Sequence, residues 1–266
     1  MKKRLLEILE KFHQYNPSDM AYSVFGFDRS VDYDALIVAP TYTPYKLGLD
    51  RQCRVTTRKE SAWLAGYLVE KDGLRLAWIK IASSDSNLID HVAVCAELHF
   101  DKMIFVGSAG ALKPELALGE LCTPRYSIAG GMAHTWLKAS IHDFVPFERV
   151  EPDGTLTDRV IELAEESGVS IRKASVFCTP SIAAEYDHLE EIRAFGTELI
   201  EMETAAFFLM AELLEIPSAA LLVVSDNSAA GNALIGRTDA EREKYEYGRD
   251  VVLPEMLFRI AEDGRA

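Results

Sequence analysis

Three short segments carry side chains able to work on a small polar substrate. In Glu201-Met202-Glu203-Thr204, two carboxylates stand one residue apart, and in an extended segment they would share one face. Glu203 can point into a cleft and accept from vicinal hydroxyls, or it can complement the dipole of a helix starting there. In Ser225-Asp226, the carboxylate ends a run of apolar residues. Desolvation against such a wall raises a carboxyl pKa, and a protonated carboxyl can donate to a departing nitrogen. A helix N-cap or Asx turn is the plainer role for the same residue. In Gly107-Ser108-Ala109-Gly110, glycines flank a serine after an apolar run. A turn there would expose backbone N–H groups to an anion, with the Ser108 hydroxyl beside them, or be a tight turn and no more. The dinucleotide pattern G-x-G-x-x-G is absent, which argues against a nicotinamide-linked oxidoreductase.

The elements that must position these groups alternate. Apolar runs at 34–39, 74–82, 102–107, 119–124, 171–177, 199–202 and 218–225 read as strands. Helices are expected over 87–99, capped by the Ser84-Asp85-Ser86 segment, from Thr155 or Thr157 to Gly168, over 203–215 and over about 239–262. Strands separated by helices predict one α/β domain: a central mixed, largely parallel sheet with helices on both faces. Ligands bind such sheets at the carboxyl ends of the strands, and all three chemical segments fall there. Residues 1–33 read as an N-terminal helical extension and 34–266 as the domain. Residues 126–154 are irregular and suit an edge or a subunit contact.

Composition narrows the partners. The 266 residues carry 42 acidic and 28 basic side chains, a formal net charge of −14, which repels a nucleic-acid polymer. The four cysteines, Cys53, Cys95, Cys122 and Cys178, show no metal-ligand spacing and read as reduced thiols, so no metal is expected. Glu7, Glu10 and Lys11 interrupt the first apolar run, and no stretch reaches membrane-spanning length, so the expected location is the cytoplasm, away from any membrane. His91 fits a partly buried helix face, while His134 and His142 read as surface or interface residues. Trp63, Trp78 and Trp136 read as core or interface packing.

VGSAGAL, IEMETAA and VVSD, in that order, resemble the purine nucleoside and uridine phosphorylase family, which also includes nucleosidases; the likeness runs from about Ala35 to Leu257. The resemblance implies a nucleoside substrate, by analogy a purine one, and no cofactor beyond inorganic phosphate as co-substrate. It implies that Ser108 and Gly107 meet the phosphate, with Ser108 also on the sugar side. Met202 and Glu203 contact the nucleoside, Glu203 through the ribose hydroxyls. Asp226 serves the leaving base, assisted by Arg242 of Ala240-Glu241-Arg242, with Arg237 the alternative. Ile182 stands where the family has an aromatic against the base. A homo-oligomer, dimer or hexamer, is also implied.

The phosphate contacts depart from the family pattern. Phe105 occupies the position of one arginine, and Pro40-Thr41-Tyr42-Thr43-Pro44-Tyr45-Lys46 replaces a glycine-containing segment. Lys46 is the candidate replacement for the arginine of that segment, and Arg58 stands near the position of a third family arginine, one that reaches across from a neighbouring subunit. A hydrogen bond to a charged group contributes about 1.5–3 kcal/mol, so a lost bidentate arginine weakens phosphate by about two to four orders of magnitude. Phosphorolysis of the N-glycosidic bond is the leading expectation. Hydrolysis of the same bond, or nucleoside binding without turnover, are its alternatives.

Overall fold

The apolar runs form the middle of the molecule. A computed structural model describes residues 2–16 and 18–264. In chain order the regular elements are α1 (Lys2–His13), α2 (Met20–Phe25), β1 (Asp32–Tyr33), β2 (Ala35–Pro40), β3 (Arg54–Glu60), β4 (Ala65–Lys71) and β5 (Leu74–Ile81). Then come α3 (Asp85–Val94), β6 (His99–Phe100), β7 (Met103–Ala111), β8 (Leu121–Ala129), β9 (Arg149–Val150), α4 (Gly154–Glu166) and β10 (Ile171–Cys178). The chain continues through α5 (Leu189–Ala194), β11 (Leu199–Glu201), α6 (Thr204–Leu214), β12 (Ser218–Asn227), α7 (Asp239–Tyr247) and α8 (Leu253–Glu262).

The main sheet has the order β11-β10-β8-β12-β7-β2-β5-β4-β3, with β9 added on β8. β12 runs parallel to β7 through a long register and touches β8 antiparallel at Leu222 and Val223. β11 pairs with β10 and also with β7, so β7, β12, β8, β10 and β11 close into a ring. Apolar clusters lie on both faces, one around Phe105, Phe207 and Leu222, the other around Trp78, Leu221 and Phe258. This is the mixed α/β architecture expected. Leu5, Leu9 and Phe25 of the first two helices join the first cluster. Among the described residues no helix is long and apolar enough to cross a membrane.

Several details differ from expectation. The hairpin β3–β4 was not legible, because β3 reads Arg-Val-Thr-Thr-Arg-Lys-Glu and sits at the sheet edge with most side chains in water. α3 starts at the Ser84 cap as expected but stops at Val94. The last helix divides: a π turn over Gly248–Val252 separates α7 from α8, whose first turn carries Pro254. His134 is buried rather than superficial, its Nε2 3.1 Å from Glu148. Trp78 is in the core, whereas Trp63 and Trp136 are exposed in the single chain.

The end of α7 rests directly on the β7–β8 loop. Gly119 has φ +80°, and a Cβ there would run into the Lys244 carbonyl, while a Cβ at Gly248 would meet the Gly119 carbonyl. Gly119→Ala should therefore combine left-handed strain with overpacking and lower stability by about 2–5 kcal/mol. Urea unfolding checks this; an unchanged midpoint would show that the contact relaxes without cost.

Candidate active site

The carboxyl ends of six strands surround a cavity of about 230 Å³. Thr41 follows β2, Ser83 follows β5, and Ser108 and Gly110 belong to β7. Thr179, Ile182 and Glu185 follow β10; Glu201, Met202 and Glu203 close β11; Asp226 lies near the end of β12.

Asp226 owes its position to a slip in pairing. β12 matches β7 residue for residue up to Val224 with Ala109, then Asp226 stands opposite Gly110, leaving Ser225 as a bulge. Bulges re-aim side chains, and this one turns the carboxyl into the cavity. A Cβ at Gly110 would lie 2.9 Å from Asp226 Oδ2, so only glycine leaves the carboxyl its room. Ser225 Oγ donates to Asp226 Oδ1 at 2.6 Å. Burial raises the pKa of Asp226, partly offset by the Ser225 hydroxyl and by the charge of Arg237. Asp226 is thus a strand residue, not a helix cap.

The two glutamates of the Glu-Met-Glu segment have separate tasks. The Glu201 carboxylate accepts from Glu203 N at 2.7 Å, Thr204 N at 3.0 Å, Thr204 Oγ1 at 2.8 Å and Cys178 Sγ at 2.8 Å. It thereby satisfies the orphan donors at the start of α6. Glu203 is buried too, yet its Oε1 has no hydrogen-bond partner. Burial, with the charges of Glu201 and Asp85 behind it, pushes the Glu203 carboxyl well above the usual range. Such an oxygen is an acceptor without a donor, which costs about 1–3 kcal/mol until one arrives.

Of the residues singled out in the sequence, Ser108, Ile182, Met202, Glu203 and Asp226 line this one cavity. Gly107, Lys46, Arg58 and Arg242 do not. Gly107-Ser108-Ala109-Gly110 is no turn: it continues β7 in register with β12, so its N–H groups do not converge on an anion. Ser108 offers only its hydroxyl, against Tyr42, whose own hydroxyl lies 2.6 Å from that of Tyr245. The Lys46 ammonium sits 4.5 Å from the centre of the Tyr42 ring. Arg58 is exposed and donates to Gly26 O at 3.2 Å. Arg242 is exposed and pairs with Asp239 in the first turn of α7. Arg237 is the arginine near the acid: its Nε donates to Ser225 O at 2.8 Å, and its guanidinium lies 4.3 Å from the centre of the Tyr245 ring.

Sequence reasoning missed Thr41, Ser83, Thr179, Leu234 and Glu185. Thr41 has φ +63°, a left-handed conformation that is rare for a β-branched residue and marks a held, strained strand end. Glu185 lies in the charged stretch Glu185-Tyr186-Asp187-His188, which gives no signal beyond a solvated loop. In the fold its carboxyl is pushed up to about 7, first by burial and then by the Asp226 charge.

Comparisons with known proteins bear on the family and the fold. The sequence profile of the phosphorylase superfamily matches residues 80–247. The chain belongs to the phosphorylase superfamily. A curated relative, the aminodeoxyfutalosine nucleosidase of Campylobacter jejuni, is 27% identical over 160 residues, 58% of this chain and 68% of the relative. The crystal structure of Campylobacter jejuni 5'-methylthioadenosine/S-adenosyl homocysteine nucleosidase superposes with a TM-score of 0.68 at 20% identity, over 86% of this chain and 98% of that one. The purine nucleoside phosphorylase of Toxoplasma gondii, crystallised with immucillin-H, gives 0.69 at 13% identity, over 88% and 92%. At these identities the likeness to the solved structures shows a shared fold. One of these structures is named a nucleosidase and the other a phosphorylase, so the fold is common to both.

The sign of the Glu185 linkage is testable in the unliganded protein. Its folded pKa lies above the unfolded value, so the stability it contributes is full below about pH 4.5 and is lost as pH rises to about 7. Glu185→Gln should therefore gain in melting temperature relative to the native protein across that window. A difference that stays constant from pH 4.5 to 8 would contradict the assignment.

Proposed function

We propose that this superfamily member hydrolyses the N-glycosidic bond of a nucleoside, using water rather than phosphate as the nucleophile. The observation that carries this reading is the charge of the cavity wall. Its ionisable lining residues are Glu185, Glu201, Glu203 and Asp226, and among the described residues of the single chain no lysine or arginine lines it. A phosphate dianion placed there would face carboxylates in a partly desolvated space, where like charges repel strongly. The sequence favours phosphorolysis through the family pattern; the arrangement of charges in the fold favours water. Among the relatives, the two from Campylobacter are named as nucleosidases.

The chemistry follows from the two unlike carboxyls. As the bond between base and sugar breaks, its electron pair moves into the base and the sugar becomes cationic. Asp226, whose carboxyl burial shifts towards the acid form, gives its proton to the base. Glu203 meets the sugar hydroxyls through its unpartnered oxygen; donors arriving there, and the developing cation, favour its ionised form and so offset the burial that raises it. Water adds to the anomeric carbon, and its proton returns to the carboxylates of the cavity. Ser108 borders the sugar, and Ile182 and Leu234 border the base. Arg237, rather than Arg242, steadies the acid through the Ser225 carbonyl.

Self-association is part of the same proposal. Trp136, Ile141, Phe144, Val145 and Phe147 crowd a short exposed segment, and such a patch on a single chain fits a subunit contact.

Base release, followed by ultraviolet absorbance, should be the same without phosphate and with tens of millimolar phosphate, and should yield the free sugar. Recovery of a sugar 1-phosphate would overturn hydrolysis. Asp226→Asn should lower kcat by about 10²–10⁴ and abolish the fall in rate expected as pH rises through the raised pKa of Asp226. An unchanged kcat in that variant would remove Asp226 from the mechanism.

A further inference from the structure

Glu185 stands in a wall shared by two cavities. On one side is the site cavity, with Asp226, Ile182 and Thr179. On the other is a second cavity of about 290 Å³, which shares Thr179 and Glu185 with the first and is otherwise largely aromatic and aliphatic. Phe147, Phe177 and Phe195 line it, with ring centroids 4.8–6.1 Å apart, together with Ile192. The neighbouring acids Glu190 and Glu191 are answered by Arg193 and His188. Glu185 has no ion-pair partner among the described residues; the Thr179 hydroxyl and the Asp226 carboxyl are its polar surroundings. A carboxyl set into a largely apolar wall, with an acid and one hydroxyl beside it and no cation among the described residues, has acceptor capacity that a ligand can use.

Ile182, Leu234, Glu185 and Asp226 line the same cavity, so a base held against Asp226 there can turn an adjacent edge towards Glu185. We propose that Glu185 selects the base: its carboxylate accepts a hydrogen bond from an exocyclic amine on that edge, so the preferred substrates are nucleosides of amino-substituted bases. Above about pH 7, where the Glu185 carboxyl is ionised, it only accepts, so a base edge offering lone pairs alone is repelled there and one offering N–H is held. The inference rests on the nucleoside-cleaving reading and adds the residue that sets its specificity.

Matched methylated bases that differ by one amine test this without turnover. Calorimetry would compare 9-methyladenine with 9-methylpurine, and 1-methylcytosine with 1-methylpyrimidin-2-one, on the native protein, Glu185→Ala and Glu185→Gln. In at least one pair the amine should tighten binding by about 10–100-fold, the worth of a hydrogen bond to a charged group. That preference should collapse to a few-fold or less in both variants, while binding of the amine-free partner stays within a few-fold. Glu185→Gln keeps the side-chain shape, and so decides the matter if Glu185→Ala disturbs the fold. No preference in either pair, or a preference that survives in Glu185→Gln, overturns the proposal. A native protein that releases base from nucleosides yet shows no amine preference overturns this inference alone; one that binds none of the four compounds and cleaves no nucleoside overturns the hydrolase reading with it.

Discussion

The site hangs on one slipped residue in the pairing of β12 with β7. Without the bulge at Ser225, Asp226 would follow the regular alternation of the strand and its carboxyl would lose its aim into the cavity. With it, the carboxyl enters the space opposite Gly110, and the freed Ser225 carbonyl receives Arg237. A sheet held on both faces by apolar clusters tolerates such a bulge because the rest of the register is long and buried. The geometry of the acid is thereby set by the most rigid part of the molecule rather than by a loop.

Around that acid the carboxyl groups differ because their surroundings differ. Glu201 is supplied with four donors and serves the start of α6. Glu203, two residues on, has a buried oxygen with none. Asp226 has a single hydroxyl, and Glu185 is raised by burial first and by the neighbouring charge second. Burial raises Asp226, Glu203 and Glu185 alike, and the donors each one has or lacks are what give one pocket both an acid and an acceptor. Stability is given up locally to do so, since each unanswered carboxyl favours the protonated or the liganded state.

Much of the fold was legible because the central strands are nearly continuous apolar runs. Residues 218–225 and 171–177 read as strands and are strands, since burial on both faces leaves no alternation to misread. What hydrophobicity does not encode was not legible. β3 is polar and peripheral, and the π turn at Gly248 depends on the approach of Gly119 from 129 residues earlier in the chain. The glycines of Gly107-Ser108-Ala109-Gly110 suggested a turn, but Gly110 is there to admit the Asp226 side chain. Five of the proposed site residues meet in one cavity because strand ends converge in any such sheet. The cationic candidates were harder: Arg242 fits a local pattern yet points to solvent, and Arg237 is brought in by the course of the loop after β12. Glu185 had no local signature at all.

The sheet order has a consequence for how the chain reaches this state. β12 is the last strand in the sequence, but it lies between β7 and β8, both made much earlier. Until residues 218–227 arrive, those two strands flank a gap, each offering an unpaired, apolar edge of the kind that invites pairing between molecules. Closure waits on contacts between distant parts of the chain, which slows folding and lengthens that exposure. A chain broken off before β12 would thus lack its acid and also keep an adhesive slot at its centre, so shortened products should be a burden on the cell's chaperones rather than merely idle.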